Sequence, residues 1–200
     1  MQLAGTVTPS STLIVVALEQ EARHFVVEHP VLVTGVGKVR AAVAVARLLA
    51  SGSTPAQIVN VGTAGGLRPG VEGTHEIGRV VQHDFDHEGV LALTGRSDGP
   101  PLDLPVRSGA GLVLATGDRF VAGGEERARV ARVADLVDME GYAVAAAARA
   151  AGVPVRLVKH VSDTADEEAA RTWVEGVDAC ARLLADWVHE HLPAERDQAR

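Results

Sequence analysis

The stretch Val31-Leu32-Val33-Thr34-Gly35-Val36-Gly37, the run Lys38 to Ala50 and then Gln57-Ile58-Val59-Asn60-Val61 decide the fold class. A short apolar, β-branched run suits a strand buried on both faces. The glycines then turn the chain into a helical stretch, and Ser51-Gly52-Ser53 stops it. A third apolar run follows, so the segment reads strand, helix, strand. Upstream, Thr12-Leu13-Ile14-Val15-Val16-Ala17 is another buried strand. Downstream, the pattern predicts strands at Gly78 to Gln82, Val90 to Leu93, Gly111 to Ala115, Leu136 to Asp138 and Val153 to Val161. Glu140 to Ala151 is an Ala-rich helix closed by Gly152 and Pro154. Asp166 to His191 reads as a long helix with Val174, Val177, Cys180, Leu183, Leu184, Trp187 and Val188 on one stripe. Gly62 to Gly66 is expected as a loop, Ser97 to Ser108 as a turn-rich excursion, and Pro193 to Arg200 as a frayed tail. Strands alternating with helices predict a three-layer α/β/α sandwich around a central mixed sheet. The length of 200 residues fits a single domain, 1–200.

Composition narrows the classes of function. Hydrophobic residues make up 46% and charged residues 22%, values of a globular chain. Aromatics are only 3%, so Val, Ala and Leu must build the core. Asp and Glu outnumber Lys and Arg, 26 to 19, for a formal charge of -7. No basic stripe stands out, which argues against a nucleic-acid partner. No apolar run approaches the roughly 20 residues that span a bilayer. Met1 to Ser11 lacks the basic and apolar regions of a secretory signal. The single Cys180 makes no internal disulfide. These features predict a cytoplasmic protein with no membrane partner.

Ligands of open α/β sheets gather where strands end. Glu19 and Glu21 follow the first strand, and Gly35 to Gly37 the second. Gly62 to Gly66, Asp118, Glu140 and Asp163 follow later ones. Singly, each has an ordinary reading, such as a helix cap or a turn. The segment His83-Asp84-Phe85-Asp86-His87-Glu88 suggests a metal cluster. Strand alternation would put His83 and His87 on one face and Asp84 and Asp86 on the other, which suits one tetrahedral site poorly, so no metal is expected.

Taken together and in order, six blocks resemble the nucleoside phosphorylase family. They are Ala17-Leu18-Glu19-Gln20-Glu21, Thr34-Gly35-Val36-Gly37-Lys38, Asn60-Val61-Gly62-Thr63-Ala64-Gly65-Gly66-Leu67, Ala115-Thr116-Gly117-Asp118-Arg119-Phe120, Val137-Asp138-Met139-Glu140-Gly141 and Val161-Ser162-Asp163-Thr164-Ala165-Asp166. They look most like its hydrolytic branch, the 5′-methylthioadenosine/S-adenosylhomocysteine nucleosidases, from about Leu13 to Trp187. The resemblance implies cleavage of a purine N-glycosidic bond, which needs an acid on the leaving base and a base on the nucleophile. Asp163 matches the acid that protonates N7, a role that requires a raised pKa. Glu21 matches the general base, with Glu19 a nearby alternative. Glu140 matches the carboxylate that binds the ribose hydroxyls, and Met139 a residue beneath the ribose. Phe120 and Val121 match the base-binding segment, although Phe120 also reads as core. Thr63 matches a small hydroxyl residue near the nucleophile, Gly62 permits close approach, and Ser162 stands beside the acid.

Phosphorylases of this family often carry an Arg where this chain has Asn60, so water is the expected nucleophile. An Asp at 163 favours a 6-aminopurine, hence an adenosine derivative. The resemblance implies no cofactor and a homodimer. The sequence departs from the family at His83 to Gly89, which bears on the 5′ pocket, and at Tyr142, which is bulkier than the usual residue. A phosphate-dependent purine nucleoside phosphorylase, a futalosine-type nucleosidase and a non-catalytic nucleoside-binding protein are the alternatives.

Overall fold

A computed structural model describes residues 1–25, 29–107, 109 and 111–192; Ser108 and the tail from Pro193 lie outside them. In chain order the strands are β1 (Gln2–Ala4), β2 (Thr12–Val16), β3 (Val31–Val33), β4 (Gln57–Gly66), β5 (Thr74–Gln82), β6 (Leu102–Asp103), β7 (Leu112–Thr116), β8 (Leu136–Asp138) and β9 (Val155–Asp163). The helices are α1 (Glu19–Ala22), α2 (Lys38–Ala50), α3 (His87–Thr94), α4 (Gly124–Val130), α5 (Gly141–Ala150) and α6 (Ala169–His191).

Strand β2 lies between β3 and β4, parallel to both, and β9 runs parallel to β4 on its other side. Every residue of β2 is buried, because helices cover both faces. Its alternate side chains separate the layers. Leu13 and Val15 face α2 and α5, meeting Ala41, Ala44, Val45, Leu48, Val144 and Ala148. Ile14 and Val16 face α6, meeting Leu184 and Val188. This is the expected α/β/α arrangement around a mixed sheet.

The sheet also curls. β5 pairs antiparallel with β9, β7 and β8 follow in parallel, and β8 returns antiparallel to the end of β4. The pairings therefore close a ring, and its rim carries the C-terminal ends of β4, β8 and β9. Gly62 to Gly66 is strand rather than loop: Gly65 and Gly66 pair with Val137 and Leu136. A Cβ on Gly65 would stand 3.1 Å from the Asp163 and Ala165 side chains and 3.2 Å from Val137. Glycine here admits close strands, not a turn.

Local chemistry explains the other differences. The apolar run Val90 to Leu93 is helical within α3, because Asp86 caps it by accepting the Gly89 N–H, and left-handed Gly95 closes it. The chain leaves the sheet at Gln82, so no strand alternation applies to His83 through His87. Helix α6 begins at Ala169, not Asp166, because Asp163 and Asp166 accept the N–H groups of Ala165 and Glu168 and hold a turn. Its buried face is Cys180, Ala181, Leu184 and Val188, whereas Val174 and Leu183 are exposed. Tyr142 packs within the helix layer and donates its hydroxyl to the Pro100 carbonyl.

Candidate active site

A cavity of about 250 Å³ opens on that rim. Ala17, Leu18 and Glu21 follow β2, Thr63 to Gly65 come from β4, and Val137 to Glu140 span the end of β8. Ser162 and Asp163 end β9, Arg119 to Val121 follow β7, and Val36 and Trp173 close the wall. Of the residues that the resemblance assigns to the site, Glu21, Thr63, Phe120, Val121, Met139, Glu140, Ser162 and Asp163 line this cavity, and Gly62 stands behind Glu21.

Helix α1 is one turn long and fixes Glu21, its third residue. Glu21 Oε2 accepts from the Ala17 and Leu18 N–H groups at 3.2 and 3.1 Å. Its Oε1 accepts from the Thr63 N–H at 3.0 Å and the Thr63 hydroxyl at 3.1 Å. The Trp173 indole N–H donates to the same hydroxyl at 3.0 Å. These bonds let a carboxylate sit 4% exposed. Glu19 is exposed, lies outside the cavity lining and accepts from Gln2, so the two acids are separated in space.

Behind them lies a buried charge set. The Lys159 ammonium, 1% exposed, meets Asp138 Oδ2 at 2.9 Å. Asp138 also accepts from the Thr116 hydroxyl at 2.6 Å and the Gly141 N–H at 2.8 Å, which anchors the start of α5. That anchoring presents Glu140, whose Oε1 accepts from the Gly37 N–H at 2.8 Å. Gly37 has φ 96°, a backbone that favours glycine and turns this N–H toward the cavity. Burial, then the Asp138 charge, push the Glu140 carboxyl up to about 8, despite Lys159. Glu140 is therefore protonated at neutral pH. The same charges raise the Lys159 pKa against its burial.

Asp163 is half-buried at the end of β9 and accepts from the Ser162 hydroxyl at 2.7 Å and the Ala165 N–H at 2.9 Å. It does not cap α6. Phe120 is 49% exposed at the cavity mouth, and Val121 is buried. Asn60 donates to the Val15 carbonyl, does not line the cavity and serves strand pairing.

Asp138, Lys159 and Trp173 were not legible as site residues. A lysine inside the buried strand β9 is the signal that could have marked Lys159. The lining carries four carboxyl groups, Glu21, Asp138, Glu140 and Asp163, against one cation, Arg119, whose side chain is 75% exposed. Such a cavity can trade protons with a ligand and stabilise a developing positive charge.

Residues 21–107 and 85–191 match the model of the phosphorylase superfamily. The 5′-methylthioadenosine/S-adenosylhomocysteine nucleosidase of Actinobacillus succinogenes is 30% identical over 187 residues, 78% of this chain and 77% of that protein. Its counterpart in Hydrogenovibrio crunogenus is 31% identical over 181 residues, 80% of this chain and 78% of that protein. The S-adenosylhomocysteine nucleosidase of Streptococcus pyogenes, solved with 5-methylthiotubericidin, superimposes with a TM-score of 0.75. It is 27% identical, and the match covers 94% of this chain and 99% of that one. Futalosine hydrolase of Helicobacter pylori, 22% identical, shares the fold at a TM-score of 0.72 over 90% of this chain and 97% of that one. With the family model matched along most of its length, and with these relatives, the chain belongs to the phosphorylase superfamily.

Proposed function

We propose that the protein is an N-ribosyl hydrolase. It cleaves the glycosidic bond of an adenosine derivative, such as 5′-methylthioadenosine or S-adenosylhomocysteine, and releases free base and sugar. The observation that carries this reading is the meeting of Glu21, Glu140 and Asp163 in one cavity beside Phe120.

The base stacks on Phe120 and takes main-chain hydrogen bonds at Val121. Asp163, covered by the bound purine, donates its proton to N7 as the bond from C1′ to N9 breaks. The sugar becomes an oxocarbenium-like cation above Met139. As the nucleoside binds, Glu140 releases its proton to solvent, and the carboxylate accepts from the 2′ and 3′ hydroxyls and stabilises that charge. Glu21 takes a proton from water, and the remaining hydroxide adds to C1′. A carboxylate offers about four acceptor positions, and four donors meet Glu21. Of these only the Thr63 hydroxyl rotates freely, so turning it opens an acceptor position for the water.

Charge favours water over phosphate. A phosphate nucleophile requires converging cations, whereas this lining is acidic and Asp138 neutralises Lys159.

The chain acts as one domain and as a homodimer. Val39 and Val43 on α2 are 72% and 59% exposed, and Val36, at the cavity, extends the same apolar face. A second copy covers that face and reaches the site. Cytoplasmic residence fits the single unpaired Cys180 and the lack, among the described residues, of a helix long and apolar enough to cross a membrane.

The decisive assay measures base release from methylthioadenosine, adenosylhomocysteine, adenosine and a futalosine-type nucleoside, with and without phosphate. Adenine release without phosphate is expected. Strict dependence on phosphate, or binding without turnover, refutes the proposal. Light scattering of wild type and Val39→Glu tests the dimer.

A further inference from the structure

We infer that Lys38 and Asp84 are positioning residues that latch the base-binding segment to the turn holding Glu140. The inference rests on the reading of Phe120 and Val121 as the base site. It also gives part of the His83 to Glu88 cluster a role.

The segment from Asp118 to Ala122 runs between two backbone anchors. Gly117 donates to the Asp138 carbonyl at 3.1 Å, and Gly123 to the Ala165 carbonyl at 2.7 Å. Between them the chain is tied at Asp118, from both sides. Its N–H donates to Asp84 Oδ2 at 2.8 Å. Its carboxylate Oδ1 accepts the Lys38 N–H at 2.7 Å. The Lys38 ammonium closes the loop, donating to Asp84 Oδ1 and, at 3.0 Å, to Gln82 Oε1. Both side chains of this pair are 18% exposed, so the pair is shielded from water. The Lys38 ammonium and the Asp118 N–H hold the Asp84 carboxyl below its ordinary value against the effect of burial.

The turn that receives Asp118 also holds the sugar carboxylate. Gly37 donates its N–H to Glu140, and Lys38, the next residue, donates to Asp118. The first N–H groups of α2 lack partners within their own helix, and two acids from distant strands fill them. Base stacking and sugar binding are thus held in register by one helix start, and Asp84 secures the outer half. His83 adds a steric contact: a Cβ on Gly117 would stand 2.2 Å from its ring, so the loop backbone lies close against the imidazole.

The experiment compares wild type, Asp84→Ala, Lys38→Met and Lys38→Arg. Amide hydrogen exchange of 118–122 in the empty protein is read first, because it does not depend on any nucleoside being cleaved. Loss of a charged hydrogen-bonding partner corresponds to about tenfold or more, so Asp84→Ala and Lys38→Met should speed exchange there about tenfold. KM for the nucleoside should rise by a similar ~10-fold factor while kcat changes less than ~3-fold. Lys38→Arg should restore both. Unchanged exchange in both disruptive variants, or a loss that falls on kcat with KM constant, overturns the latch. A wild type that cleaves no nucleoside refutes the proposed function instead, and the exchange result still decides the latch.

Discussion

Replacing Glu140 by Gln should make the protein more stable and less active, and the gain should grow with pH. Glu140 titrates near 4.5 unfolded and near 8 in the fold. The folded state therefore binds the proton more tightly. Stability from this group is full below about pH 4.5 and is lost as pH rises through 8. The rise of about 3.5 pH units corresponds to a ceiling of about 5 kcal/mol, at about 1.4 kcal/mol per unit. Gln keeps an oxygen for the Gly37 N–H and carries no charge beside Asp138. That rise already includes the attraction of Lys159, and relaxation and water entry around the ionised group take up part of the penalty, so about 2–3 kcal/mol should remain. For a chain of this size 1 kcal/mol moves Tm by about 2–4 °C. Differential scanning calorimetry of both proteins from about pH 4 to 9 should show Tm values that nearly coincide at the acid end and diverge to about 5–10 °C at the basic end. Groups common to both proteins, including His83 and His160, whose pKa values burial lowers, cancel in the difference. Turnover should fall about 10²-fold, since an amide stabilises the sugar cation poorly. Parallel Tm curves, or a Gln variant less stable than wild type at pH 8.5, would refute the charge reasoning.

Asp163→Asn should leave nucleoside binding nearly intact and lower kcat about 10²–10⁴-fold, the range for loss of a general acid; titration calorimetry beside steady-state kinetics checks it. Gly62→Ala places a Cβ 3.1 Å from Glu21 Oε1 and 3.4 Å from Lys159 Nζ. A displaced base costs up to about 10²-fold in rate, so kcat should drop far more than Tm, and equal losses in both would count against the role of Glu21. Lys159→Met leaves Asp138 buried without its cation, a change that destabilises by about 3–5 kcal/mol. Urea denaturation should show it, and a variant as stable as wild type would refute the pairing of Lys159 with Asp138 as a support of the fold.

What could be read in advance followed physical scale. The helix Lys38 to Ala50 and the strand Thr12 to Val16 were legible because a long periodic segment and a wholly buried strand each leave one solution. Gly65 was misread because glycine serves turns and close strand contacts alike, and only the arrival of Asp163 and Val137 distinguishes them. Val90 to Leu93 was misread because two local hydrogen bonds, at Asp86 and Gly95, outweigh a four-residue apolar run. The acids themselves were legible, since each stands where a strand ends. Their partners were not.

That asymmetry follows from how the acids are held. Glu21, Glu140 and Asp118 accept N–H groups from the backbone of Ala17, Leu18, Thr63, Gly37 and Lys38. A backbone donor leaves no mark on the sequence, because any residue but proline supplies one. Side-chain cations would have been visible, but they would also neutralise the cavity and suit a phosphate better than a cationic sugar. Holding the acids by backbone dipoles keeps the cavity acidic, at the cost of the strained ionisation of Glu140. The buried cation Lys159 is set on Asp138 rather than on Glu140. It offsets enough charge for the fold to form and leaves Glu140 able to release its proton to solvent before positive charge develops on the sugar.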